Sequence, residues 1–158
     1  MLANAEHYAE TFDKGALPMP PARGVVVLTC MNARLNPYGL LGLSGGDAHV
    51  IRNAGGVVTA DQRRSITISQ RILGTTEIIL IHHADCGLAT FTDDVFKRQI
   101  EEEVGIKPDW AAEASTDPAE DVAQSIGRIR SDPFIPHTES VRGFVYDVVT
   151  AQLREVQA

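Results

Sequence analysis

The sequence predicts an α/β fold: a mostly parallel β-sheet flanked by helices, preceded by an N-terminal helical arm. Three observations carry this. Residues 25–28 and 77–82 are short, β-branched and largely apolar, as expected of strands buried on both faces. Residues 61–73 read as a helix stopped by Gly74. Strands that alternate with helices in this way build a parallel sheet.

Taken in order, residues 2–13 form a short helix with Tyr8 and Phe12 at i,i+4 spacing, ending at Gly15. Residues 17–24 hold Pro18, Pro20 and Pro21 and form an extended arm. A helix on such an arm is poorly placed to pack on its own domain and is expected to dock on a second subunit. The core begins at Val25, and its first strand runs into Thr29 and Cys30. A second strand covers 48–52, followed by Asn53, Ala54, Gly55 and Gly56. The helix 61–73 and the strand 77–82 come next. A helix is then expected over 90–103, with Thr90 and Asp93 as a capping box and Gly105 as its stop. Residues 104–117 form a loop or short irregular helix. Asp117 caps a helix from Pro118 to about Arg130, ended by Asp132-Pro133. Residues 142–149 and 152–156 form a terminal hairpin around Thr150 and Ala151. The whole of 1–158 reads as one domain, with 1–24 as the arm and 25–158 as the α/β core.

Composition narrows the function classes. The chain has 158 residues, 44% hydrophobic and 22% charged, which is ordinary for one globular domain. Its net charge of -7 argues against nucleic acid or an anionic membrane as partner, since both reward a basic face. Residues 1–6 lack the basic start and apolar run of a secretory signal, and no apolar stretch is long enough to span a bilayer. A cytoplasmic location is therefore expected. In that reducing setting the two cysteines are metal ligands, redox groups or buried apolar residues in preference to a disulfide.

Cys30 falls just past the end of the first core strand, and His83 and Cys86 just past the end of the third. Ligands bind at the carboxyl ends of strands in open parallel sheets. Two thiolates and an imidazole suit tetrahedral zinc, and three protein ligands leave a fourth position open for chemistry. Spacing alone leaves open two buried free thiols beside a loop histidine. A reversible Cys30–Cys86 disulfide is a further reading, disfavoured by the absence of a Cys-x-x-Cys pair.

Three motifs that include or flank these residues bear on this choice. They are Cys30-Met31-Asn32-Ala33-Arg34-Leu35, the run from Gly46 to Gly56 that contains Ile51-Arg52-Asn53-Ala54-Gly55-Gly56, and His83-Ala84-Asp85-Cys86-Gly87. Together they resemble the β-class carbonic anhydrases, most closely the short bacterial forms of mycobacteria and related actinobacteria. The resemblance covers nearly the whole chain. It implies reversible hydration of carbon dioxide to bicarbonate by hydroxide on zinc, with Zn2+ held by Cys30, His83 and Cys86. It implies that Arg34 belongs to a catalytic Asp-Arg pair, that Gly55 and Gly56 border the substrate pocket, and that the chain forms a dimer or a dimer of dimers. Relatives on this fold hydrolyse carbonyl sulfide or carbon disulfide, which is an alternative activity for the same site.

One position departs from the family pattern: Asn32 stands where the family has the catalytic aspartate. An amide keeps one acceptor oxygen, loses the charge and adds two donors. The pairing with Arg34 is expected to weaken, a carboxylate-closed form of the site is expected to be absent, and hydration is expected to slow. A catalytically silent zinc-binding scaffold is the reading in which activity is lost altogether. Among the remaining candidates, Asp85 is expected to orient the ligand loop. His82 should point away from the ligands by strand alternation. His7, His49 and His137 are expected to be non-ligands.

Overall fold

The computed structural model describes residues 1–158. Five strands form one sheet: β1 (Val25–Cys30), β2 (Ala48–Asn53), β3 (Glu77–His83), β4 (Val141–Tyr146) and β5 (Leu153–Val156). Their order is β2-β1-β3-β4-β5. The first four are mutually parallel, and β5 pairs antiparallel with β4 as the expected terminal hairpin. β1 lies inside the sheet, and all six of its residues are buried.

Alternation along β1 and β3 divides the core. Val26, Leu28, Ile78 and Leu80 face α3 (Ala60–Arg71) and α5 (Pro118–Arg130), meeting Ile66, Val122, Ile126 and Ile129. Val25, Val27 and Ile81 face the other way, toward Leu35 and toward Leu40 and Leu41 of α2 (Pro37–Leu41). α5 packs so closely on β4 that a Cβ at Gly143 would collide with Val122 and Ile126. Asp117 caps α5 through the N–H groups of Ala119 and Glu120, with Pro118 at the first turn, as the sequence predicts.

Three elements differ from expectation: α4 (Asp93–Val104), α2 and, at its end, α1 (Leu2–Glu10). α4 spans Asp93–Val104, and its cap is Thr92, whose hydroxyl accepts from Val95 N–H. The Thr90 hydroxyl instead donates to Gly87 O and closes a 3-10 turn, Gly87–Ala89. Asp93 reaches much further along the chain. Its carboxylate accepts from the N–H groups of Ala112, Glu113 and Ala114 and pins the loop that follows α4. α2 is the second difference, a helix that the sequence pattern does not predict. Its signature is local, with Asn36 as cap, Pro37 at the first turn and Gly42 in the left-handed conformation. Five residues are too few to show a helical period.

α1 (Leu2–Glu10) is shorter than the predicted 2–13 and buries no residue. The Tyr8 and Phe12 rings sit 5.7 Å apart, both exposed. The arm reaches the core through Ala22 and Arg23 N–H, which donate to Gly46 O and Asp47 O. No helix is long and apolar enough to cross a membrane.

α3 is tied to the chain beyond α5 by Arg63, which pairs with the buried Asp132 carboxylate. The Arg63 guanidinium and the Phe134 N–H hold that carboxyl below the usual carboxylate range. A carboxyl depressed in the folded state stabilises the protein above its unfolded pKa, and this contribution disappears as pH falls through the folded value. Asp132→Asn is therefore expected to lower stability at neutral pH and to flatten its decline below about pH 4, where the unfolded carboxyl titrates. Urea midpoints measured from neutral to acid pH check this.

Candidate metal centre

β1 and β3 pair in parallel with Thr29 opposite Ile81, so their carboxyl ends lie side by side. Cys30 closes β1 and His83 closes β3, each the last residue of its strand and not the first residue past it. Cys86 follows after a turn at Asp85, whose φ is 57°. The Cys30 and Cys86 sulfurs and a His83 ring nitrogen all lie within 4.8 Å of one another.

The Gly55-Gly56 turn makes this convergence possible. Gly56 has φ +80°, and a Cβ there would lie 2.9 Å from Cys30 N and 3.1 Å from Ile81 O. Any side chain would push the turn away from the strand ends. Gly55 brings its N–H to the Cys30 sulfur, which also accepts from Asn32 N–H. Beside the strands, the Thr29 hydroxyl donates to Ile81 O at 2.9 Å.

The donor set fits a metal ion. His83 Nδ1 donates to Ala84 O at 2.8 Å, so in the neutral, metal-binding form of the imidazole Nε2 carries the lone pair; without a metal, the Cys30 sulfur beside the ring raises the imidazole's pKa and favours its protonated form. That Nε2 is buried with no hydrogen-bond partner in the protein. A buried acceptor left unmatched by protein groups is a ligand position. Burial pushes the Cys30 thiol up, but the His83 imidazole and the N–H groups of Asn32 and Gly55 outweigh it and bring Cys30 to about 7. Burial holds Cys86 above the ordinary thiol value, partly offset by Leu88 N–H.

Beside the donors, a cavity of about 50 Å3 is lined by Gly55, His82, His83, Asp85, Cys86 and Asp121, among others. Gly55 therefore borders the pocket, whereas Gly56 sits beneath the strand ends and acts through its backbone. Asn32 Oδ1 accepts from Arg34 N–H at 2.8 Å and from Arg34 Nε–H at 3.3 Å. The Arg34 guanidinium continues to Asp85, with Nη1 2.9 Å from Oδ2 and Nη2 3.2 Å from the carbonyl oxygen.

His82 points away from the ligands. Its Nε2–H donates to Gly56 O at 3.0 Å, and its Nδ1 lies 3.0 Å from Asp121 Oδ2, which ties α5 to the glycine turn. His49 bonds Ser69, and His7 bonds Glu10. His137 lies in a loop held through its backbone by Gln70. Sequence reasoning missed Arg52. Its Nε–H donates to Cys30 O and its Nη2–H to Asn32 O, which fixes the turn that leaves the first donor. Only its place in the Ile51–Gly56 motif marked it.

A parallel α/β sheet with a thiolate–imidazole–thiolate group at its strand ends defines a protein with a three-donor metal site. Comparison with known proteins gives the family. The carbonic anhydrase family model matches residues 25–153. The chain is 57% identical to beta-carbonic anhydrase 1 of Mycobacterium tuberculosis, over 98% of this chain and 94% of that protein. It is 34% identical to a carbon disulfide hydrolase of Acidianus, over 98% of this chain and 86% of that one. The crystal structure of a carbonic anhydrase from Streptococcus mutans superposes with a TM-score of 0.90 at 39% identity, covering 99% of this chain and 94% of the other. The chain belongs to the β-carbonic anhydrase family.

Thiolate absorbance of the metal-free protein is expected to rise in two steps with pH. The first comes near 7, from Cys30, and the second lies above the ordinary thiol value, from Cys86. Replacing His83 with Ala removes the imidazole that favours the Cys30 thiolate, so the first step should move upward.

Proposed function

We propose that this protein catalyses reversible hydration of carbon dioxide to bicarbonate at a zinc ion held by Cys30, His83 and Cys86. The observation that carries this is the convergence of those three donors within 4.8 Å of one another, two of which, His83 and Cys86, line a cavity of about 50 Å3, a space suited to a very small substrate. When bound, zinc acidifies water so that hydroxide is available near neutral pH. Two thiolates balance the charge of the ion, and N–H donors from Asn32, Gly55 and Leu88 draw electron density from the sulfurs, which keeps the metal electrophilic. The cavity wall limits solvent, and Gly55 lets the backbone approach without a side chain in the way.

Asn32 sets the limit on this activity. Its Oδ1 is committed to Arg34, and the remaining NH2 can only donate. It therefore cannot take a hydrogen bond from the attacking oxygen as a carboxylate does. Loss of one preorganised polar contact costs about a hundredfold in rate. Stopped-flow hydration at known zinc occupancy is expected to show slow turnover, rising about a hundredfold in Asn32→Asp. If both proteins are inert with zinc fully bound, the hydration reading fails. Turnover of carbon disulfide in place of carbon dioxide would reassign the substrate.

The same reading includes self-association. Neither α1 nor α4 buries a residue, and Tyr8, Phe12 and Val95 are exposed. A nine-residue helix is marginal without packing, so a second copy is the natural cover for α1. Two unpaired thiols at the site suit a cytoplasmic, reducing location. Removing residues 1–17 is expected to reduce the mass measured by light scattering to that of a smaller assembly.

A further inference from the structure

Position 32 carries no charge, yet Arg34 is not without an anion. Of its side-chain contacts, the one to the Asn32 amide is the longest, at 3.3 Å. The charge-assisted contact goes to Asp85 at 2.9 Å, and the second terminal nitrogen takes the Asp85 carbonyl at 3.2 Å. A planar guanidinium that engages both the side chain and the backbone of one residue fixes that residue's orientation as well as its position. Asp85 also holds a backbone conformation uncommon for a residue with a side chain, at φ 57°. It lies between His83 and Cys86 and forms part of the cavity wall.

Arg34 belongs to the turn that leaves Cys30, which is itself held by Arg52 through Cys30 O and Asn32 O. The Arg34–Asp85 pair therefore links the loop carrying the first donor to the loop carrying the third. We propose that Asp85 is the working anionic partner of Arg34 in this chain: a positioning residue that orients the guanidinium beside the site and fixes the His83–Cys86 loop, in place of the carboxylate that position 32 lacks. This rests on the metal-site reading above. Both side chains are more than half exposed, so the direct Coulomb attraction is small, and the effect comes from shared geometry.

The test uses four full-length proteins: the present chain, Asp85→Asn, Asn32→Asp and the double variant. Zinc affinity is measured by competition with a chromogenic chelator. The ligand-field bands of the cobalt(II) forms, kcat and KM are measured beside it. In the present chain Asp85→Asn is expected to weaken zinc binding and lower kcat by about tenfold each, with KM little moved and the cobalt bands shifted. In the Asn32→Asp background the new carboxylate supplies the anion, and the same change should cost less than about threefold. Equal losses in both backgrounds would show that Asp85 only shapes its loop, and no loss in the present chain would show that it does nothing for the site; either overturns the proposal. Arg34→Gln is the second route: it should reproduce the loss, and adding Asp85→Asn to it should cost nothing more, whereas additive losses count against the pair. If no protein hydrates carbon dioxide but zinc affinity and the cobalt bands follow this background dependence, the pairing stands and the proposed activity falls.

Discussion

The parallel pairing of β1 with β3, with Thr29 opposite Ile81 and β3 running one residue further, is the constraint on which the rest of the molecule depends. It places Cys30 and His83 side by side without any help from a loop. The register is held by apolar burial along both strands, since a one-residue slip would turn Val26 and Leu28 away from α3 and α5. It is sealed at the carboxyl end by Gly56, where backbone lies against backbone with no room for a Cβ. His82, buried beside the same cavity, holds that turn in place through Gly56 O and is itself anchored to α5 by Asp121. The helix that covers the core thus also supports the floor of the site.

The electrostatics of the centre follow from this geometry. Burial alone would keep both thiols protonated. Cys30 escapes because the same close approach that excludes a side chain at Gly56 brings the Gly55 and Asn32 N–H groups to its sulfur, and because His83 lies beside it. The Ala84 carbonyl sets the His83 tautomer, leaving Nε2 aimed inward without a protein partner. Around these donors, arginines act as braces: Arg52 on the turn after β1, and Arg34 between that turn and Asp85. Asn32 holds the turn through its oxygen and places no negative charge in it.

The sheet and its two covering helices account for one part of the chain; the arm and α4 account for another. α1 and α4 bury nothing, and Phe91, Phe96 and Trp110 form an aromatic chain near the loop that Asp93 pins. The core is complete without them.

Much of this was legible in the residues themselves. Apolar β-branched runs predicted β1 and β3 because burial on both faces needs continuous hydrophobicity, and Asp117-Pro118 marked the start of α5 because capping is a local interaction. Cys30, His83 and Cys86 could be placed at strand ends for the same reason. Other features depended on contacts between distant segments, to which local patterns are blind. Asp93 looked like a capping residue and became an anchor for a loop some twenty residues on. Asp85 is expected from its place to orient the ligand loop, but nothing local shows that its partner is Arg34, 51 positions away. Arg52 carried no sign of its hold on the Cys30 turn. The sequence by itself determined which segments are strands and helices and which side chains have the chemistry for a metal; the tertiary structure decided which of them meet, because only the register of β1 on β3 and the close approach at Gly56 bring the donors and their braces within bonding distance.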